Sequence, residues 1–581
     1  MAGRYWDKVG LQQVSRRRVL QGAGVAGAAA GAAWLVGCGG TSTSTSGTTP
    51  SANTPAAGAT PSGLYLNPGN APKRGGIYKI GTSVDFDTFD PHLSIAGGVG
   101  YFPKLYNVVI NRSPKKADFR FDDLGISLEQ PDNLTYIFTI RDGVKIGPNQ
   151  LGVPERNVDA ADVKATFDRI KALPQSNAYA FVGQWIQSVE ASPDGKTLTI
   201  KTPKPYGYFF YRIGSPLNTI VPRELIDTPD KMKSASAGGG PFVLNPGKYV
   251  EGQGALLERN SGYYRKDEAS NNAQLPYVDG ISVKIIADRS AQSTAFQSGQ
   301  IDTYGAQNVD DAKSLQSNGN YAVDREPTDT FISFTMNPTT KPWDDIRIRQ
   351  AAMYALNRQE YIDRVYKGEA KADGLVHWSL GDYALPPDEL AKLQPYDPTQ
   401  AKQLIKAATG NDTIDINVMW PAESNIEEHS LHLPVWLRQM KDAGFNVKAD
   451  AQAFPTWLGN YTNLKYDASL ALNQIYGYAE FEMDFEHSEG AARNHIYSIG
   501  IGKLYPEIDA AIDASKGVTD PVAQAKKVQD VQRQIYAKGP MFLPLVTPYA
   551  YTLYQSYVKN IPQNIGTDST YVLATTYLDK A

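Results

Sequence analysis

The chain carries a single cysteine, Cys38, in 581 residues. With no second thiol to pair, no disulfide can staple the fold, and a large body must be held by core packing alone. Roughly 500 residues follow the first 74, more than one hydrophobic core usually holds, so two or three lobes are expected.

The neighbourhood of Cys38 also bears on where such a body works. Ser15-Arg16-Arg17-Arg18-Val19-Leu20 precedes an uncharged, Ala- and Gly-rich stretch that ends at Leu35-Val36-Gly37-Cys38. The paired Arg16 and Arg17 resemble a twin-arginine (Tat) export leader, with Val19 where that motif usually has Phe. LVGC resembles a lipobox, in which the thiol of Cys38 is alkylated by a diacylglycerol and becomes the new N-terminus. On this reading residues 1–37 are a signal peptide, and the mature chain is held by lipid on the outer side of the cell membrane. An uncleaved anchor helix is the alternative. Residues 38–74, the cysteine followed by Ser, Thr, Gly, Pro and Ala, bury too little apolar surface to offset chain entropy and are expected to form a disordered tether. Its span would be roughly 30–35 Å.

Arg4, Lys8, Arg16, Arg17 and Arg18 against Asp7 give the leader +4, so of the chain's net −4 the remainder carries −8. No basic stripe or run appears, which argues against nucleic acid as a partner. The histidines, His92, His377, His429, His432, His487 and His495, form no HExxH pattern. His429 and His432, three apart and beside Glu428, read as solvated or capping groups, so neither a metal nor a cofactor is expected. A GxSxG elbow, a Walker A loop and a dinucleotide fingerprint are absent as well, and no catalytic residue is assigned.

Periodicity marks a mixed α/β body. Ile77-Tyr78-Lys79-Ile80 alternates after the pair Gly75-Gly76, and Asp90-Pro91 closes that stretch as a turn. Tyr136, Phe138 and Ile140 alternate as in a half-buried strand. Asp159 is placed to cap a helix with Val163, Phe167 and Ile170 on one face. Pro193-Asp194-Gly195 is a hairpin signal between two strand-like runs. Asp344 and Asp345 open a helix expected to carry Ile348, Ala352, Ala355, Leu356, Tyr361 and Ile362 and to end at Gly368.

In order along the chain stand GGIYKIG, YIFTIRDGVKI with VDAADVKATFDRI, GGGPFVL (238–244), LERNSGYYRKD (257–267), LPYVDGISVKII (275–286), AFQSGQIDTY (295–304) and MNPTTKPWDDIRIRQAAMYALNRQEYI (336–362). These blocks resemble the family 5 solute-binding proteins of bacterial ABC importers, a group with oligopeptide, dipeptide, nickel and some oligosaccharide binders. The resemblance implies a two-lobed α/β, periplasmic-binding-protein-like fold. Residues 75–105, 215–320 and 548–581 would build the first lobe, 106–214 an inserted subdomain, and 321–547 the second lobe. Two crossings would form a hinge, and a solute, oligopeptide or oligosaccharide-like, would bind between the lobes of a monomer and pass to a permease and ATPase. Gly239 stands where the family commonly has Thr, which is expected to loosen that loop.

The family usually carries Trp-x-x-Asp-Tyr-x-Asp-Pro in the second lobe, whose acidic group can meet a ligand ammonium in peptide binders. Here NQIYGYAEFEMDFEH (473–487) stands in that place. Tyr476 or Tyr478 takes the Trp position and Glu480 or Glu482 the acidic one, while the Asp-Pro is missing. Two Tyr and two Glu at alternating spacing suit a site that stacks a flat or sugar-like group and orients its polar atoms. Trp420 at a strand tip and Trp457 in a linking segment are candidate cleft platforms, with ordinary core packing as the competing reading. Phe86 and His92 are candidate first-lobe contacts and Asn494 a polar one; Trp436 is read as core. Two other functions fit the same residues. One is a secreted hydrolase using Glu480 and Glu482, which would need carboxyls about 5–9.5 Å apart. The other is a sensory binding protein that presents its solute to a signalling receptor.

Overall fold

The computed structural model describes residues 65–69, 71–94, 99–112, 119–120, 123–267, 270–328, 330–422, 427–474, 478–490, 498–562 and 573–580. Cys38, Arg16, Arg17, Tyr476 and Asn494 lie outside these residues, as do the leader and most of the tether. Among the described residues no helix is long and apolar enough to cross a membrane.

Three sheets of four or more strands organise the described chain. Gly75 and Gly76, at φ 104° and 82°, turn the backbone into the strand Ile77–Thr82 through a conformation that side-chain-bearing residues rarely adopt. That strand runs parallel to Gly280–Ile285 and to Thr303–Gly305. Gly254–Arg259 adds antiparallel on one side, and Val546–Gln555 followed by Tyr321–Pro327 on the other. Phe296, Ile301, Tyr304, Leu315 and Leu553 form a core cluster against this nine-stranded sheet.

The second sheet has five strands. Ile414–Pro421 is parallel to Phe445–Gln452 and to Ala468–Gln474, and Thr330–Met336 lies antiparallel between Ala468–Gln474 and Phe542–Pro544. Trp436 is fully buried against Phe334, ring centroids 5.0 Å apart, as its helical face demands. A third, four-stranded antiparallel sheet runs Gly125–Glu129, Thr135–Ile140, Thr197–Lys201, Ser188–Ala191. Its helix, Ala160–Lys171, starts at a capping box in which the Asp159 carboxylate takes the Asp162 amide and the Asp162 carboxylate takes the Asp159 amide. Val163, Phe167 and Ile170 are buried beneath it, and the Asp194-Gly195 turn joins the last two strands as expected.

The chain passes from the first sheet to the second between Pro327 and Thr330 and returns between Pro544 and Val546. Tyr321–Pro327 therefore belongs with the first sheet, beyond the expected boundary at 320, because Tyr321 and Val323 pack on the Phe296 cluster while the backbone pairs with Val546–Gln555.

Three further expectations are corrected. The end of the tether is ordered: Tyr65–Leu66 pairs with Ile561–Pro562, and the Asn67 amide donates to the carbonyls of Ser556 and Val558, because Leu66 supplies an apolar anchor that the preceding Ser/Thr stretch lacks. The helix after Asp345 stops at Tyr354; Asn357 caps a new turn by accepting the Glu360 amide, and Gly368 closes the segment by donating to Ile362. Gly239 sits in a tight spot, not a loose one: a Cβ there would lie 2.3 Å from Asn107 Oδ1 and 2.8 Å from Val144 Cγ1.

Candidate functional site

Beyond the strand Ala468–Gln474, the short helix Ala479–Met483 runs into a tight turn over Asp484–Glu486. Glu480, Glu482, Asp484 and Glu486 are all buried, against the ordinary exposure of carboxylates. Removing an ionised carboxylate from water costs several kcal/mol even after relaxation, so each needs compensation. Asp484 receives both oxygens' share from one cation, Lys516 Nζ at 2.6 and 2.9 Å. Glu486 is held by backbone amides, Phe542 N–H at 3.0 Å and Ile501 N–H at 3.3 Å; burial nevertheless pushes its carboxyl up to about 7.

Glu480 and Glu482 differ in their partners. Glu480 Oε2 accepts from the Tyr206 hydroxyl at 2.5 Å, and Lys516 Nζ lies 3.9 Å from its other oxygen. Burial raises its pKa, opposed by the positive charges of Arg212 and Lys516. Glu482 Oε2 accepts the His377 amide at 2.5 Å, while Oε1 is buried with no hydrogen-bond partner among the described residues. Burial lifts its pKa well above the carboxylate range, the His377 amide opposing and Asp373 adding to the rise. His377, lowered by burial, stands 3.6 Å from Asp373, whose other contacts include the Thr547 hydroxyl at 2.5 Å beside the return crossing.

This segment meets a second one from the far side of the molecule. Tyr206–Arg212 follows the last strand of the four-stranded sheet, and Arg212 Nη1 donates to the Tyr478 hydroxyl at 2.5 Å with its guanidinium 5.0 Å from that ring. Tyr478, Glu480 and Glu482 are thus brought together where two parts of the chain join. Tyr206, Arg212, Lys516, Asp484 and His377 were not foreseen; Lys516 reads in sequence as a helix-end cation, and only the aromatic run PYGYFFYR around a glycine hints at a junction.

The other expected contacts are placed elsewhere. Trp457 is corrected to core: its indole N–H donates to Ser469 Oγ at 3.1 Å, and its ring stacks on Tyr461 among Met419, Tyr466 and Ala471. Trp420 is buried in its strand opposite Ala451. Phe86 packs with Phe89, Tyr101 and Tyr249. His92 is corrected to a structural group, since Thr219 O at 3.0 Å and Arg169 Nη1 at 2.6 Å occupy both ring nitrogens. Among the described residues no group of three or more His, Cys, Asp and Glu is arranged to hold a metal.

Two sheet-centred halves joined by two crossings, with a buried polar site where their segments meet, define the two-lobed class of periplasmic binding proteins. Residues 127–486 match the family described as bacterial extracellular solute-binding proteins, family 5 Middle, and the chain belongs to that family. The glutathione-binding protein GsiB of Salmonella paratyphi A is 26% identical over 478 residues, covering 78% of this chain and 84% of its own. Two solved structures share the fold at a TM-score of 0.71. One is the periplasmic binding protein DppA from Helicobacter pylori in complex with the peptide STSA, 19% identical, covering 87% of this chain and 99% of that one. The other is MoaA of A. tumefaciens R10 in complex with mannopinic acid, 22% identical, covering 87% and 100%. Family 5 proteins are the extracytoplasmic solute-binding components of ABC importers, which deliver solute to permease and ATPase.

Proposed function

We propose that the chain is a lipid-anchored receptor, attached through Cys38, that takes a peptide or peptide-like solute between its lobes and hands it to its importer without breaking a bond. The hinge would be the crossings between Pro327 and Thr330 and at Leu545, the insert residues 106–214, and the working form a monomer.

The observation that carries the solute class is Glu482. Glu480 is committed to Tyr206 and neighbours Lys516, so it is not free for a ligand ammonium; Glu482 keeps one buried oxygen without a partner among the described residues. A buried acceptor left unmade costs about 1–3 kcal/mol, which a donor on the solute would recover. A peptide brings such donors as its ammonium or amides, and the glutathione- and peptide-binding relatives support that class. Burial is what raises the pKa of Glu482, so a positively charged or hydrogen-bonding donor brought against its carboxyl would favour the ionised form.

Isothermal titration of the purified full chain with glutathione, di- to tetrapeptides and maltotriose tests this. A peptide-class solute should saturate one site, and Glu482→Gln should weaken it by roughly 10- to 100-fold, the loss of one charge-assisted hydrogen bond. Saturation by maltotriose alone, or an unaltered affinity in the variant, would sink the assignment.

A further inference from the structure

The four-stranded sheet and its helix take no part in the Glu482 contact, yet among the described residues the Tyr206–Arg212 segment that follows the sheet makes three direct bonds to the second half. Tyr206 O–H donates to Glu480, Gly207 N–H donates to Lys516 O at 2.8 Å, and Arg212 donates to Tyr478. The near side of this contact is packed on aromatic rings. Tyr206 stacks on Trp185 at 4.0 Å, Phe209 stacks on Tyr136 of the sheet at 3.6 Å, and Arg212 lies 5.8 Å from the Phe181 ring. The far side is built on the buried Lys516–Asp484 pair and on Gln524, which accepts from Tyr383 Oη, while the Tyr383 ring faces Tyr208 at 6.2 Å.

Gly207 gives the contact its signature. Its backbone is outside the left-handed region, so no turn requires glycine there. A Cβ would instead lie 2.0 Å from Val518 O and 2.3 Å from Gln524 Nε2, atoms of the second half. The missing side chain is a requirement of the approach between halves, and it lapses once they separate.

Resting on the two-lobed receptor reading, we propose that the insert is a closing arm: residues Tyr206–Arg212 latch onto Tyr478–Asp484 and Lys516–Gln524 and set the stability of the closed state without touching the solute. Opening breaks these bonds and parts Glu480 from Tyr206 and Arg212 from Tyr478, while the Lys516–Asp484 pair stays within the second half. Tyr206, Gly207 and Arg212 are thus affinity-determining positions outside the solute contacts.

Hydrogen exchange of the full chain, followed by mass spectrometry without added solute, tests the latch. Gly207→Val should speed exchange over 506–524 by about tenfold or more while the strands Thr135–Ile140 and Thr197–Lys201 keep their protection; Tyr206→Phe should give a smaller acceleration at the same peptides. Unchanged exchange at 506–524 in both variants would overturn the proposal. So would acceleration confined to the insert strands in Gly207→Val with none in Tyr206→Phe, which would make Gly207 a matter of local folding. The readout needs no ligand, so a latch that responds in a protein that binds no peptide would leave this inference standing and defeat only the solute assignment.

Discussion

His92 shows how a single side chain can look functional and be structural. Its Nδ1 accepts from Arg169 and its Nε2–H donates to Thr219 O, so the neutral ring fits both neighbours and a proton on Nδ1 would face the guanidinium. Burial first, then Arg169, lowers its pKa from 6.5 to about 4. The unfolded chain therefore takes up the proton earlier as pH falls, and folding loses about 3 kcal/mol from this group between pH 6.5 and pH 4. Glu486 opposes it: raised to about 7, it favours the folded state at low pH and loses that contribution as pH rises from 4.5 to 7. Comparing variant with wild type isolates the histidine. His92→Gln, which keeps an acceptor and a donor, should flatten the acid branch of the urea midpoint between pH 6.5 and 4.5 relative to wild type. Parallel curves would move the acid sensitivity to other groups. Sequence offered no means of seeing this arrangement, because Arg169 arrives from 77 positions away and Thr219 from 127.

At the level of elements, what was legible was local. The Asp159 capping box, the Asp194-Gly195 turn and the alternation of Tyr136, Phe138 and Ile140 rest on neighbours within a few residues, and each is found where expected. Tertiary contact decided the rest. Trp457 and the strand tip at Trp420 are indistinguishable as linkers until Tyr461, Ser469 and Met419 gather around one of them. Gly239 looked permissive because glycine usually buys backbone freedom, whereas here it makes room for Asn107, which is itself tied to Asp123 at 2.7 Å. Gly239→Thr should accordingly destabilise the body by about 1–3 kcal/mol in chemical unfolding, the usual range for overpacking, with little effect on solute affinity. A Thr variant as stable as wild type would restore the looser view of that loop.

Over the whole molecule, the chain passes between the two halves where Tyr321–Pro327 gives way to Thr330–Met336 and Phe542–Pro544 to Val546–Gln555, and Ala370–Ala372 pairs back onto Val546–Pro548. Order of blocks along the chain was enough to anticipate this plan, but the first crossing lies past the expected boundary because strand pairing, not block order, assigns Tyr321–Pro327. The candidate site was half legible. Its segment was recognisable by position, whereas the choice between Glu480 and Glu482 depends on Tyr206 and Lys516, each remote in sequence. The central claim, that these halves enclose one solute, is tested most directly by native mass spectrometry of the full chain isolated from its own host. The account predicts a single non-covalent peptide-class adduct, one per chain, present in the native spectrum and lost on unfolding. Native and denatured masses that agree in every preparation would contradict it.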